Sequence, residues 1–198
     1  VDRAYNASPT ALELIDRVAD PHFTTELGLF NLEMNADPQA LEGAGLARME
    51  AQLVQLYARV QAVASELDVQ PVLAGILPTL ARTDLSLENM VPNPRYLTLT
   101  RVMRAAKGDC YDIAIKGLDE LVAKHDSLMF EACNASFQVH LQSIDPSRFG
   151  HDYDVAQLVL APTLAIGTNS PTLFGKRLWA ETRIALFGVL AMTAAAWL

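Results

Sequence analysis

The chain has 198 residues, 51% of them apolar, and a formal charge of −8 from 15 basic and 23 acidic side chains. This composition is typical of a globular protein. Because phosphate contacts need clustered Lys and Arg, an acidic chain without a basic run argues against nucleic acid as a partner. Two cysteines, Cys110 and Cys133, are too few for a disulfide framework or a zinc pattern, so we expect a reducing, cytoplasmic location and a single domain over residues 1–198.

The first half of the chain alternates helical and strand patterns. Pro9 and the apolar spacing of residues 10–18 predict a helix, and the alternation of FTTELGLFNLEMN predicts a strand over residues 23–35 with Glu33 on its polar face. In residues 45–68 the apolar positions recur every three or four residues, which predicts a long helix. This seam fits either a helix lying on a sheet, which we favour, or a coiled coil.

Residues 71–116 contain shorter patterns. The apolar run PVLAGILP predicts a buried strand over residues 71–78, and residues 79–94 are expected to form a loop. Helical periodicity follows over residues 96–106, and alternation returns in residues 109–116, which predicts another strand.

Residues 131–143, EACNASFQVHLQS, carry the most informative strand pattern. Ala135, Phe137, Val139 and Leu141 would lie on one face. The other face would carry neutral donors and acceptors and one imidazole: Asn134, Ser136, Gln138, His140 and Gln142. Such side chains suit a concave ligand-binding surface.

The C-terminal third is predicted to be mainly helical. A helix is expected over residues 153–165, followed by a loop at Asn169-Ser170-Pro171. Residues 184–198 carry no charge, but fifteen residues are fewer than the ~20 that a membrane span needs, so we expect a buried helix and no membrane partner.

Strands with one polar and one apolar face disfavour a doubly wound parallel sheet, whose central strands are apolar on both faces. We therefore expect an α+β fold, in which a curved, mainly antiparallel, funnel-like sheet has helices packed on its outer face.

No Gly-rich phosphate loop and no GxSxG motif is present, so the candidate chemistry rests on carboxylates and arginines. Glu26, Glu33 and Glu181 could bind Mg²⁺, which bridges nucleotide phosphates, and arginines supply planar donors for phosphate or carboxylate groups. The alternatives are strand-rim glutamates, a structural His140, and a helical ion pair of Glu181 with Arg177. The basic candidates are Arg95, Lys176, Arg177 and Arg183.

Five ordered motifs carry a resemblance to a known family. They are TELGLFNLEMN with P-x-x-L-x-G after it, GILPTL, PRY, EACNASFQVHLQ and NSPTLFGKRLWAETRI. Together they resemble the glutamate–cysteine ligase family, in its bacterial and plant-like carboxylate–amine ligase branch, over about residues 1–187.

The resemblance implies an ATP-dependent ligase with Mg²⁺ as cofactor. In this family ATP phosphorylates the γ-carboxylate of glutamate, and the amino group of cysteine or another amine then attacks the acyl phosphate. With cysteine as the acceptor, the reaction belongs to glutathione biosynthesis. The implied fold is the funnel-shaped antiparallel sheet already expected from the strand patterns.

The resemblance also assigns roles residue by residue. It implies that Glu26, Glu33, His140 and Glu181 hold metal, that Gln138, His140 and Arg177 contact the nucleotide, and that Arg95 and Arg183 face the substrate or the transferred phosphate. Asn169 would shape the cavity wall. All these side chains are expected to surround one magnesium–nucleotide pocket.

Two departures from the family pattern bear on activity. Family members carry an acidic E-x-E strand just before the position of Val1, and they continue past the ETRIxLF motif with a charged helix. The chain is therefore expected to be the central part of a ligase-like catalytic domain. The alternative is a non-catalytic remnant that acts as an interaction module or homo-oligomer through the Leu46–Leu67 helix and the apolar C-terminal segment.

Overall fold

The computed structural model describes residues 1–107 and 110–188. Its α-helices are α1 (Ala11–Val18), α2 (Gly45–Glu66), α3 (Pro94–Lys107) and α4 (Phe149–Ile166). Its strands are β1 (Phe23–Thr25), β2 (Leu32–Met34), β3 (Tyr111–Lys116), β4 (Glu120–His125), β5 (Thr172–Leu173) and β6 (Lys176–Arg177). Residues 183–188 are also helical, whereas most of the predicted C-terminal helix, at 189–198, lies outside the described residues.

The α+β class is confirmed, but the sheet differs from the expected one. The described residues form three separate two-stranded antiparallel sheets, which pair β1 with β2, β3 with β4, and β5 with β6. The four predicted helices that fall in this part of the chain are all present. No helix among the described residues combines the length and apolar character that crossing a membrane requires.

The predicted strand over residues 23–35 is instead a hairpin. Its two ends pair in the register Phe23 with Met34 and Thr25 with Leu32. A reversal lies between them, where Gly28 is buried and forms an isolated bridge to Met90. A Cβ at Gly28 would lie 2.9 Å from Asn31 Oδ1, so only glycine fits this close approach without a shift of its neighbours.

Helix α2 lies on this hairpin, which confirms the helix-on-sheet interpretation over the coiled coil. Its buried residues Leu56, Val60 and Ala64 pack with Leu14 of α1 and Phe23 of β1 in a small core. The N-terminal end of the apolar seam does not enter this core, since Leu46 remains 66% exposed.

A larger core lies around the β3–β4 hairpin. Ile113 and Ile115 of β3 face it, as the alternation in residues 109–116 predicts, together with Leu121 and Ala123 of β4. Strand β4 was not predicted, although its buried positions alternate with exposed ones. This core also contains Ile76 and Leu173, which join the middle of the chain to its C-terminal part.

Two predicted strands are wrong. Residues 71–78 form no strand, although Ile76 is buried. Residues 131–133 are the end of a 3₁₀ helix (Leu128–Cys133), and residues 134–143 are irregular. A strand needs a neighbour to accept its ladder of hydrogen bonds, and the two segments share only one backbone hydrogen bond, from Ala135 N–H to the Gly75 carbonyl, which makes no ladder. The expected single curved sheet therefore lacks these two strands.

One charged cluster fastens the β1–β2 hairpin to α2. The His22 ring lies between two carboxylates, with Nδ1 2.6 Å from Asp20 Oδ1 and Nε2 3.3 Å from Asp37 Oδ1. Asp37 accepts a hydrogen bond of 2.6 Å from Gln52 of α2, and Arg59 of α2 forms an ion pair with Asp20. The hydrogen bonds to Asp20 and Asp37 raise the pKa of His22 above its usual value of 6.5.

We expect this cluster to stabilise the protein more below pH 6.5 than above the raised pKa of His22. A histidine with a raised folded-state pKa contributes stability that is full below its unfolded pKa and is lost as pH rises through its folded pKa. Urea unfolding between pH 6 and pH 8 should therefore show a larger loss of stability for the wild type than for His22→Asn. Equal losses in the two proteins would contradict this role.

Candidate active site

The β1–β2 hairpin places Glu33 on the face opposite α2. Its neighbours Leu32 and Met34 pack against the small core, so the alternation of side chains along a strand directs Glu33 away from it. Thr24 stands directly across the hairpin from Glu33 and donates a hydrogen bond of 2.8 Å to Oε2. Asn35 donates in turn to the Thr24 hydroxyl at 3.2 Å, which fixes the orientation of the pair.

Glu26 lies at the end of β1, near Glu33. Burial of its carboxylate raises the pKa of Glu26, and the negative charge of Glu33 raises it further. Within the described residues its carboxylate accepts one hydrogen bond, a long one of 3.3 Å from the backbone N–H of Leu27 to Oε2. The resemblance assigns metal binding to both acids; the structure places them near each other on one hairpin, and their role as metal ligands stays a prediction.

Glu131 is a further acid at this place that the sequence did not indicate. It lies on the 3₁₀ helix Leu128–Cys133 and is partly buried. Burial raises the pKa of Glu131, and the charge of Glu26 adds to this effect. The Tyr96 pKa is also raised, mainly by burial and then by Glu26, so Tyr96 of α3 borders the same cluster. In the motif EACNASFQVHLQ the predicted polar strand face begins at Asn134, so the sequence pattern selects Gln138 and His140 and does not include Glu131.

The donor set at Glu26 and Glu33 is compatible with Mg²⁺. Two carboxylates that repel each other are stabilised by a hard cation, and Mg²⁺ is usually bound by one or two carboxylates together with substrate phosphates and water. The described residues contain no group of three or more acidic, His or Cys side chains arranged to hold a metal by themselves.

The ETR motif forms a second, separate cluster. Glu181 is 6% exposed and accepts hydrogen bonds from Arg183 Nη2 at 2.8 Å, from the Ser170 hydroxyl at 2.5 Å and from the backbone N–H of Asn169 at 3.4 Å. The donors, Arg183 first, lower the pKa of Glu181 to about 2. The carboxylate is already surrounded by donors, so a metal role for Glu181 stays a prediction that requires this ion pair to open.

Arg183 also connects this cluster to two distant segments. Its Nη1 donates a hydrogen bond to the backbone carbonyl of Ala135, and Ala135 N–H donates to the carbonyl of Gly75 at 2.9 Å. A Cβ at Gly75 would lie 2.1 Å from Asn169 Oδ1 and 2.9 Å from Arg183 Cζ. The glycine of the GILPTL motif is thus explained by the close approach of the chain to Asn169 and Arg183.

The other predicted residues lie apart from both clusters. Gln138 and His140 are exposed in the irregular segment after the 3₁₀ helix, and Gln138 donates to Ser136 at 3.2 Å. Arg177 lies on β6 and forms an ion pair of 3.2 Å with Asp119, so the alternative helical pair with Glu181 is wrong. Arg95, at the start of α3, is exposed and lines a shallow groove next to Tyr96.

The expectation of one pocket is therefore only partly met. Glu26 and Glu33 lie near enough for the charge of Glu33 to raise the pKa of Glu26, whereas Arg95 lines a separate groove with Thr98, Leu99 and Val102. Glu181 and Arg183 bind each other, while His140 extends into solvent. The larger core contains Leu27, which follows Glu26 in the chain. It also contains Cys133, two residues before Ala135, which Arg183 contacts. Both clusters therefore border the same core.

Comparison with known proteins agrees with the motifs. The family model described as Glutamate-cysteine ligase family 2 (GCS2) matches residues 3–196. No curated protein and no solved structure matches the chain. Because the family model covers nearly the whole sequence, the chain belongs to glutamate-cysteine ligase family 2.

Proposed function

We propose that the chain acts as part of an ATP-dependent carboxylate–amine ligase that joins glutamate to an amine. The observation that supports this most directly is the proximity of Glu26 and Glu33 on the hairpin of the TELGLFNLEMN motif, in a chain that belongs to a ligase family. The acidic pair lies near Tyr96, and two neighbouring carboxylates suit the binding of a metal–nucleotide complex.

Each chemical step of the proposed reaction is a substitution. An oxygen of the glutamate γ-carboxylate attacks the γ-phosphorus of ATP, and ADP leaves. The acceptor amine then attacks the acyl carbon, inorganic phosphate leaves, and the amine nitrogen loses a proton. Cysteine is the first acceptor to test, because its product belongs to glutathione biosynthesis, and we place the reaction in the cytoplasm.

Glu26 and Glu33 would hold Mg²⁺, which supplies charge neutralisation at the nucleotide phosphates. Thr24 keeps Glu33 oriented, and Glu131 adds negative charge behind Glu26. Arg95 would orient the substrate carboxylate from the N-terminal turn of α3. Arg183 can face the transferred phosphate only after its hydrogen bonds to Glu181 and to the Ala135 carbonyl break.

Nucleotide contacts by Gln138, His140 and Arg177 need larger rearrangements. The first two would reach a nucleotide only if their exposed segment closes over it, and Arg177 would have to leave Asp119. These three roles remain part of the proposal.

A second candidate function is an interaction module without catalysis. Helix α4 supports it, because none of its 18 residues is buried although most of them are apolar. A helix that is apolar on all sides is normally covered by other protein. On this view Glu181 and Arg183 are purely structural.

The two candidates differ in nucleotide turnover. We expect ADP to form from ATP and Mg²⁺ only when glutamate and an amine are both present, and a coupled assay with and without each substrate measures this. Absence of ADP formation with every amine tried, together with concentration-dependent association, would favour the interaction module. ADP formation at the same rate with and without glutamate would contradict glutamate as the substrate.

A further inference from the structure

His22 closes the base of the hairpin that carries Glu33. Its backbone carbonyl accepts a hydrogen bond of 2.8 Å from the backbone N–H of Asn35, which extends the β1–β2 ladder by one residue pair. The Asn35 side chain donates to the Thr24 hydroxyl at 3.2 Å, and Thr24 donates to Glu33 at 2.8 Å. Because an amide N–H can only donate, the hydroxyl must accept from it and direct its own hydrogen to Glu33. The position of Asn35 therefore determines how Glu33 is held.

Gln52 of α2 holds the chain just after Asn35. Its Oε1 accepts a hydrogen bond of 3.0 Å from the backbone N–H of Asp37, and its Nε2 donates to Asp37 Oδ2 at 2.6 Å. His22 Nε2 lies 3.3 Å from Asp37 Oδ1 and 3.5 Å from Gln52 Nε2. The imidazole and the Gln52 amide are thus neighbours at one carboxylate.

The protonation state of the His22 ring determines which of these contacts can form. A charged imidazolium donates from both nitrogens, so it satisfies Asp20 and Asp37 together, whereas a neutral imidazole has one N–H and one lone pair. The remaining proton stays on Nδ1, because its contact with Asp20 is the shorter at 2.6 Å and the Asp20 side chain is only 7% exposed. Nε2 then carries the lone pair, which repels the Asp37 carboxylate and accepts an N–H from Gln52.

We propose that His22 is a positioning residue for Glu33. Loss of the Nε2 proton to solvent turns the Gln52 amide from Asp37 to the imidazole. The segment around Asp37 is then released from α2, and Asn35, two residues earlier, loses its anchor on that side. Glu33 keeps its fixed orientation while His22 is charged and loses it when His22 is neutral. This role rests on the proposed function, in which Glu33 holds Mg²⁺.

The charged groups that face the ring come from three elements. Asp20 lies in the turn after α1 and Asp37 in the segment after β2, and hydrogen bonds to these two, Asp20 first, raise the pKa of His22 above 6.5. Arg59 of α2 reaches the ring through its ion pair with Asp20. A group with a raised pKa stays protonated to a higher pH, so the hairpin is held at pH 6.5 and is released as the pH rises through the raised value.

Nuclear magnetic resonance of the ligand-free protein tests the link. Between pH 6 and pH 9, the ¹³C resonance of the Glu33 carboxylate should shift at the midpoint of the His22 imidazole titration. The shift should be absent from His22→Asn, which has no titrating ring, and from Thr24→Val, which removes the connecting hydroxyl. Asp37→Asn, at an exposed position, should move both midpoints to lower pH together. A Glu33 resonance that stays constant in the wild type, or that follows His22 equally in Thr24→Val, would overturn the proposal.

The Mg²⁺ dependence of ADP formation tests the consequence for the site. At pH 6 the wild type should need about fivefold less Mg²⁺ for its half-maximal rate than His22→Asn, a modest coupling between two sites. Both proteins carry the same site carboxylates, so this ratio should fall to one above the His22 midpoint. An equal requirement at every pH, while ADP forms, would overturn the positioning role and leave the ligase function intact. If neither protein forms ADP, the ligase proposal fails and the ¹³C experiment decides on His22.

Discussion

Replacement of Glu181 by alanine is expected to lower the free energy of unfolding by about 3–5 kcal/mol, because it leaves the charge of a largely buried arginine without its partner. The Arg183 side chain is 17% exposed, and its remaining hydrogen bond in the structure is to Ala135. Ser170, which is fully buried, also loses the acceptor of its hydroxyl. Urea unfolding of both proteins at neutral pH measures the difference.

A matched control uses an ion pair in solvent. Asp112 and Lys124 lie 3.2 Å apart on the β3–β4 hairpin, and both are more than 70% exposed. Asp112→Ala should cost at most about 1 kcal/mol, since exposed ion pairs contribute little. If the Asp112 and Glu181 variants lose equal stability, the pair in the ETR motif is not the buried anchor described above.

Replacement of Glu33 by glutamine is expected to lower kcat/KM for ADP formation by at least about 100-fold. Even residues that only support a metal ligand typically change activity by 10–100-fold, and loss of a ligand's charge should cost more. The folded state should tolerate this change, because the amide oxygen can still accept the hydrogen bond from Thr24. Steady-state rates over a range of Mg²⁺ concentrations measure the effect.

The control for this prediction is Glu120→Gln, which removes an equal charge from the exposed start of β4. It should leave the rate and the Mg²⁺ dependence unchanged. If both glutamine variants keep the wild-type rate while folding normally, the hairpin acids have no part in the reaction.

The helices could be predicted because local patterns determine them. In α2 the spacing of apolar residues every three or four positions identifies Leu56 and Val60 of the buried stripe, whereas the equally buried Ala64 lies next to the predicted position Val63. The alternation of Ile113 and Ile115 likewise identified the buried face of β3.

Strands depend on partners that are distant in sequence, and this limits the prediction. The run 71–78 and the segment 131–143 have suitable alternation or apolarity, but strand formation also needs a neighbour, which local sequence does not supply. In residues 23–35 the apolar positions change from odd to even numbers just after Gly28, and such a change fits a bulge within one strand as well as the reversal that the structure shows.

The part of the candidate site that could be predicted is the part built from residues of a single motif. Glu26 and Glu33 come from one hairpin, so their meeting follows from local geometry. Glu131 joins them through tertiary packing of another segment, and the Glu181–Arg183 pair depends on neighbours from Ser170 and Ala135. Such contacts carry no signal in local spacing.

Transfer of labelled oxygen tests the proposed chemistry most directly. With glutamate carrying ¹⁸O in its γ-carboxylate, ATP, Mg²⁺ and an amine acceptor, an acyl phosphate route moves one labelled oxygen into each inorganic phosphate that is released. Mass spectrometry of the phosphate should show that label in the wild type and far less labelled phosphate with Glu33→Gln. Phosphate that forms without the label would contradict activation of the glutamate carboxylate by this protein.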